Sequence, residues 1–164
     1  MSNDFFCYAV RMEKYVWVKM FCGLLMVGTL SACIGNTYQQ QADVIKGHVE
    51  RFYGHLQSHQ VGHAVFENEQ IEMIGLSSEE RLLRRVGQLK HDEKIQEWKI
   101  IKTAKETAAE NWLALARYFS ENQQYDKARS TYQRVIETYQ GLANQLYVDR
   151  AKMGLRDVET ILGP

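Results

Sequence analysis

Proline is almost absent from this sequence: the one proline in 164 residues is the last, Pro164, so no helix interior is broken by one. Charge of one sign is lacking too. Lys and Arg balance Asp and Glu at 20 against 20, and without a basic block nucleic acid is not an expected partner. The sequence also has no Gly-rich phosphate loop, no Gly-x-Ser-x-Gly and no His-Glu-x-x-His, so no enzyme is expected and no cofactor is implied. A helix that crosses a bilayer needs about 20 consecutive apolar residues. Lys19 limits the most apolar stretch to Met20 through Ile34, which is too short. Cysteine is scarce: the three, Cys7, Cys22 and Cys33, all lie in the first fifth of the chain.

The apolar stretch follows Arg11, Lys14 and Lys19 and leads into Leu30-Ser31-Ala32-Cys33, the layout of a secretory signal with small residues at the cut. These four residues resemble the lipobox of bacterial lipoproteins. The resemblance implies that the Cys33 thiol receives a diacylglyceryl group, that residues 1–32 are removed, and that the freed amine of Cys33 is acylated. The covalent lipid on Cys33 is then the only attached group, and two or three chains anchor a protein stably where one does not. Ile34 stands where enteric lipoproteins retained in the inner membrane carry aspartate, so the resemblance implies the periplasmic face of the outer membrane. The stretch before Arg11 is acidic and apolar, which points to Met12 rather than Met1 as the start of translation.

With residues 1–33 set aside, 17 basic and 18 acidic residues remain and no thiol. A disulfide scaffold, a thiolate metal site and a cysteine nucleophile are then excluded, and stability must come from packing. The expected organisation is a lipidated flexible tether over 33–41, an N-terminal helical segment over 42–90 and a helical domain over 91–164.

The fold expected is all-α. Apolar residues recur at three- and four-residue spacing from Val44 to Leu56, predicting a helix over 42–58. Gly62 and Gly75 bracket a segment readable as helix or as irregular chain, and Ser77 with Glu80 forms a capping-box pair that predicts a helix start. His91-Asp92 marks a break. From Glu93 to Ser120 no glycine or proline interrupts the rhythm, which predicts one long helix, with two helices turning near Thr107 as the alternative. Tyr125 to Tyr139 and Leu142 to Ile161 follow as two further helices, with Gly141 as a cap.

Within this pattern residues 111–139 resemble a tetratricopeptide repeat, a pair of antiparallel helices of fixed signature. The residues that carry the resemblance are Trp112, Leu115, Ala116 and Phe119, then Tyr125 at the turn, then Ala128, Tyr132 and Val135. Gln123 stands where the repeat usually has glycine, and Gln140 where it has proline. Projected backwards, the same period places Trp98 and Ile101 on the second helix of a degenerate earlier unit. The resemblance implies a protein-protein interaction or assembly module with a groove for another envelope protein. Its candidate contacts are Arg117, Tyr118, Glu121, Arg129 and Arg134. A different possibility lies in His55, His59 and His63, spaced every fourth residue. On one continuous helix, imidazoles a turn apart can share a zinc or copper ion.

Overall fold

The structure is a computed structural model that describes residues 37–163. The expected signal segment over 1–32, Cys33 and residues 34–36 lie outside the described residues. Among the described residues five α-helices follow one another: α1 Thr37–Gln57, α2 Val61–Arg85, α3 His91–Glu121, α4 Tyr125–Thr138 and α5 Gln145–Leu162, with a 3₁₀ turn, Leu142–Asn144, before the last. Among the described residues there is no strand, and no helix is long and apolar enough to cross a membrane.

Helix α1 begins earlier than its apolar period, so residues 37–41 of the expected tether are helical. Helix α2 runs unbroken through Gly75 and Ser77, where a break and a new start were expected. The reason is tertiary. Ala64, Asn68, Ile71, Gly75 and Ser78 form one buried seam along α2, and a Cβ on Gly75 would come within 3.1 Å of the Ala104 Cβ. The glycine thus allows α2 and α3 to approach closely rather than ending a helix. Ser78 is buried, and its hydroxyl accepts a bond from Arg81 at 2.7 Å, while Glu80 pairs with Arg84 on the surface. The Ser77–Glu80 pair therefore caps nothing.

Helix α3 is one helix of 31 residues, about 46 Å long at 1.5 Å per residue. Its start is fixed by the Glu93 carboxylate, which accepts the Lys90 backbone N–H at 2.7 Å. Trp98 and Ile101 lie on this same helix, not on the second helix of an earlier repeat, and Trp98 is 59% exposed. Leu83 and Leu146 are also exposed.

The α1–α2 and α3–α4 turns are built alike. His59 and Gln123 adopt left-handed φ angles of 58° and 59°. In the first turn the His59 and Gln60 amides donate to the Leu56 and His55 carbonyls, and in the second the Gln123 and Gln124 amides donate to those of Ser120 and Phe119. Each is a tight helix-ending arrangement that usually selects glycine for its left-handed position. The following helices then bury Ala64 and Ala128 at equivalent places.

In the second hairpin Trp112, Leu115, Ala116, Phe119, Ala128, Tyr132 and Val135 are all buried, and Tyr125 is half-buried. Helix α5 packs on α4 and α3, burying Val148, Ala151 and Val158. The α4–α5 contact depends on Gly154, whose added Cβ would fall inside the Tyr132 ring, 2.7 Å from Cε1 and 2.6 Å from the hydroxyl oxygen. Because that ring is itself buried, Gly154→Ala is expected to destabilise the protein by about 1–3 kcal/mol through overpacking, measured as a lowered urea midpoint. Gly154→Ala combined with Tyr132→Leu should recover part of the loss.

Candidate functional site

The helices alternate in direction, which sets the two ends of the array. Tyr38 lies over Lys99, whose Nζ is 5.8 Å from the ring centroid, and Gln41 accepts a 3.4 Å bond from Ser78. The chain therefore enters beside the α2–α3 turn. At the opposite end His59 meets Tyr118, Nδ1 to hydroxyl at 2.7 Å, bringing the α1–α2 and α3–α4 turns together.

The candidate contact residues divide at that far end. Arg117, Glu121 and Arg129 are exposed, although Arg129 lies 3.4 Å from Asp126 on its own helix. Tyr118 is half-buried against His59. Arg134 is occupied by the core: its guanidinium stacks 3.9 Å from the Trp112 ring centroid and donates to Glu72 Oε2 at 3.1 Å. Arg134 is thus a structural residue and not a free contact.

Glu72 is the residue that the sequence did not single out. Its Oε1 accepts the Trp112 indole N–H at 2.8 Å and the Tyr139 hydroxyl at 2.7 Å. One carboxylate on α2 is thereby tied to α3, to α4 and to the residue that ends α4. Burial pushes the Tyr139 phenol far above its usual range, and its hydrogen bond to Glu72 and the negative charge there add to the effect. The partners stand 40 to 67 residues away in sequence, so no local spacing announces them.

A second carboxylate, the buried Glu67, ties α1 to α2. Its Oε2 is 2.6 Å from His48 Nδ1 and accepts Arg51 Nε at 3.0 Å. Burial alone would raise its pKa, but the bonds and charges of His48 and Arg51 outweigh burial and hold the carboxyl below its ordinary value. A carboxyl depressed in the fold contributes stability that is present above its unfolded pKa and lost as pH falls through its folded one. Acid should therefore weaken the α1–α2 contact below about pH 4.5. Urea titrations from pH 7 to 3 should show a stability loss that is shallower in Glu67→Gln.

The histidine series does not lie on one helix. His55 is in α1, His59 in the turn and His63 in α2. The rings of His55 and His63 stack with centroids 5.2 Å apart, whereas His59 turns away to Tyr118. Among the described residues no group of three or more His, Cys, Asp or Glu side chains is placed to hold a metal ion.

Comparison of the chain with protein families, with curated proteins and with solved structures found no match. What the arrangement offers is a far end with exposed Arg117 and Glu121 and an array tied together by Glu72 and Glu67. Asn68 and Asn111 complete the α2–α3 seam as buried amides, Asn68 Nδ2 donating to the Ala108 carbonyl at 3.2 Å.

Proposed function

We propose that this chain is a bacterial envelope lipoprotein, held through acylated Cys33 at the periplasmic face of the outer membrane, which presents its helical array as a binding module for another envelope protein. The role is non-catalytic. The observation that supports it best is the division of the array into two ends: the chain enters from Cys33 at one, and the exposed Arg117 and Glu121 lie at the other. A hairpin with small residues at its crossing and large ones around them holds that far end rigid. Rigid presentation lowers the ordering cost of binding.

A photo-crosslinking amino acid placed at Arg117, Glu121 or Arg129 in intact cells should give one discrete adduct with an envelope protein. The same group at Lys152, on the exposed side of α5, should not give it. Absence of an adduct from all three positions, at normal protein levels, would overturn the binding reading.

A further inference from the structure

The neutral balance of the chain conceals a strong local imbalance. Residues 81–105, the end of α2, the turn and the start of α3, hold eight Lys and Arg against three Asp and Glu. The rest of the chain after Cys33 is acidic, with nine against fifteen. Some of the cations here are matched: Arg81 holds Glu97 at 3.1 Å and Lys105 holds Glu79 at 2.8 Å. Arg85, Lys90 and Lys94 have no carboxylate partner among the described residues.

The same tip exposes large apolar side chains that the core does not take. Leu83 is 71% exposed, Trp98 59%, Val86 54% and Ile95 40%. Lys94, Ile95, Trp98 and Lys102 share a face of α3 by their spacing, and Leu83 and Trp98 edge a groove of about 460 Å³ that α2 and α3 form with Ala143 and Asn144 of the 3₁₀ turn. Cations interleaved with a tryptophan and aliphatic residues match a bilayer interface. Anionic headgroups meet the charges there, the indole sits at headgroup level, and the aliphatic side chains reach the acyl boundary. Position selects this occupant. Only four peptide units separate Cys33 from Thr37, a reach of at most roughly 14 Å, and α1 starts beside Lys99 at this tip.

We infer that the α2–α3 tip is a second membrane contact, which seats Trp98, Leu83, Val86 and Ile95 in the headgroup region of an anionic bilayer and stands the array upright on it. The orientation rests on the anchoring reading proposed above. The contact itself rests on the tip's own charge and exposed side chains.

Two measurements on chain purified from cell membranes separate the two readings. Mass spectrometry reports acylation of Cys33. Tryptophan emission, with Trp98→Phe as the reference for what Trp98 contributes, is followed after adding vesicles with brominated acyl chains, of phosphatidylcholine alone or mixed with phosphatidylglycerol. Anionic vesicles should quench the Trp98 emission at least twofold more than neutral vesicles, which the acyl chains enter equally well. Arg85→Glu with Lys94→Glu should abolish the difference while leaving the helical circular dichroism unchanged. The tip contact is overturned if Trp98 stays unquenched, if both vesicle types quench equally, or if the double reversal has no effect. It is also overturned if raising the protein concentration alone shields Trp98 from iodide, since a second copy then covers the face. Quenching without acylation leaves the tip standing and removes the anchor; acylation without quenching does the reverse.

Discussion

Glu72→Ala is expected to lower the thermal midpoint by on the order of 10 to 20 °C. The substitution strands the Trp112 indole N–H and the Tyr139 hydroxyl, both on residues less than 6% exposed. A buried donor left without a partner costs about 1–3 kcal/mol. The Arg134 contact adds little because its side chain is 41% exposed. The sum for the two donors is about 2–6 kcal/mol, and in a domain of this size each kcal/mol moves the midpoint by about 3–5 °C. Glu72→Gln is the control that identifies the cause. It retains an Oε1 acceptor for both donors and loses only the charge facing Arg134, so its shift should be no more than about a third as large. Equal midpoints for the two variants in circular dichroism melts would mean that stranded donors are not what Glu72 prevents.

Tyr139 gives the same latch a pH signature of the opposite sense to Glu67. A phenol whose pKa is raised in the fold keeps its proton where the unfolded chain loses it. The fold's advantage is therefore complete below about pH 10, the unfolded value, and declines as pH rises above it. The Glu67 contact fails from the acid side, the Glu72 contact from the alkaline side, and between them the array holds α1, α2, α3 and α4 together.

The parts of this fold that were legible in the sequence are those set by local periodicity. The all-α class, the single long α3 and the buried face of the α3–α4 hairpin follow from apolar spacing and from the lack of glycine and proline between His91 and Glu121. Where local signals and tertiary contacts compete, the contacts win. Gly75 reads as a breaker because glycine costs helix stability, yet it stays helical in a tight contact, where an added Cβ would lie 3.1 Å from that of Ala104. Ser77 and Glu80 have the spacing of a cap, but burial of Ser78 carries α2 straight past them. Trp98 follows the inward rhythm and points outward, because α3 is long enough to run beyond the helices that cover its second half. Arg134 was legible as a distinctive residue and not as a structural one. Its partners on α2 and α3 lie far off in sequence, and only the packing of three helices brings them into contact.

Cys33→Ser is expected to release the protein from membranes completely under one condition and only partly under another, and the difference separates the two proposed attachments. Acyl chains contribute about 0.8 kcal/mol per buried CH₂, so two or three chains hold a protein essentially permanently, while a surface contact of basic and apolar side chains is reversible. Salt distinguishes them, because the screening length falls to about 3 Å at 1 M and exposed charges then stop attracting headgroups. Wild-type protein should stay with membranes at low salt and at 1 M, partition into the detergent phase, and incorporate labelled palmitate. Cys33→Ser should incorporate no label, remain partly bound at low salt through Arg85, Lys90, Lys94 and Trp98, and wash off entirely at 1 M. The variant's circular dichroism should match wild type, since the buried side chains of α1 begin at Ile45. Full retention of Cys33→Ser at 1 M would place the attachment somewhere other than Cys33, and release of wild-type protein by salt alone would leave no role for the lipid.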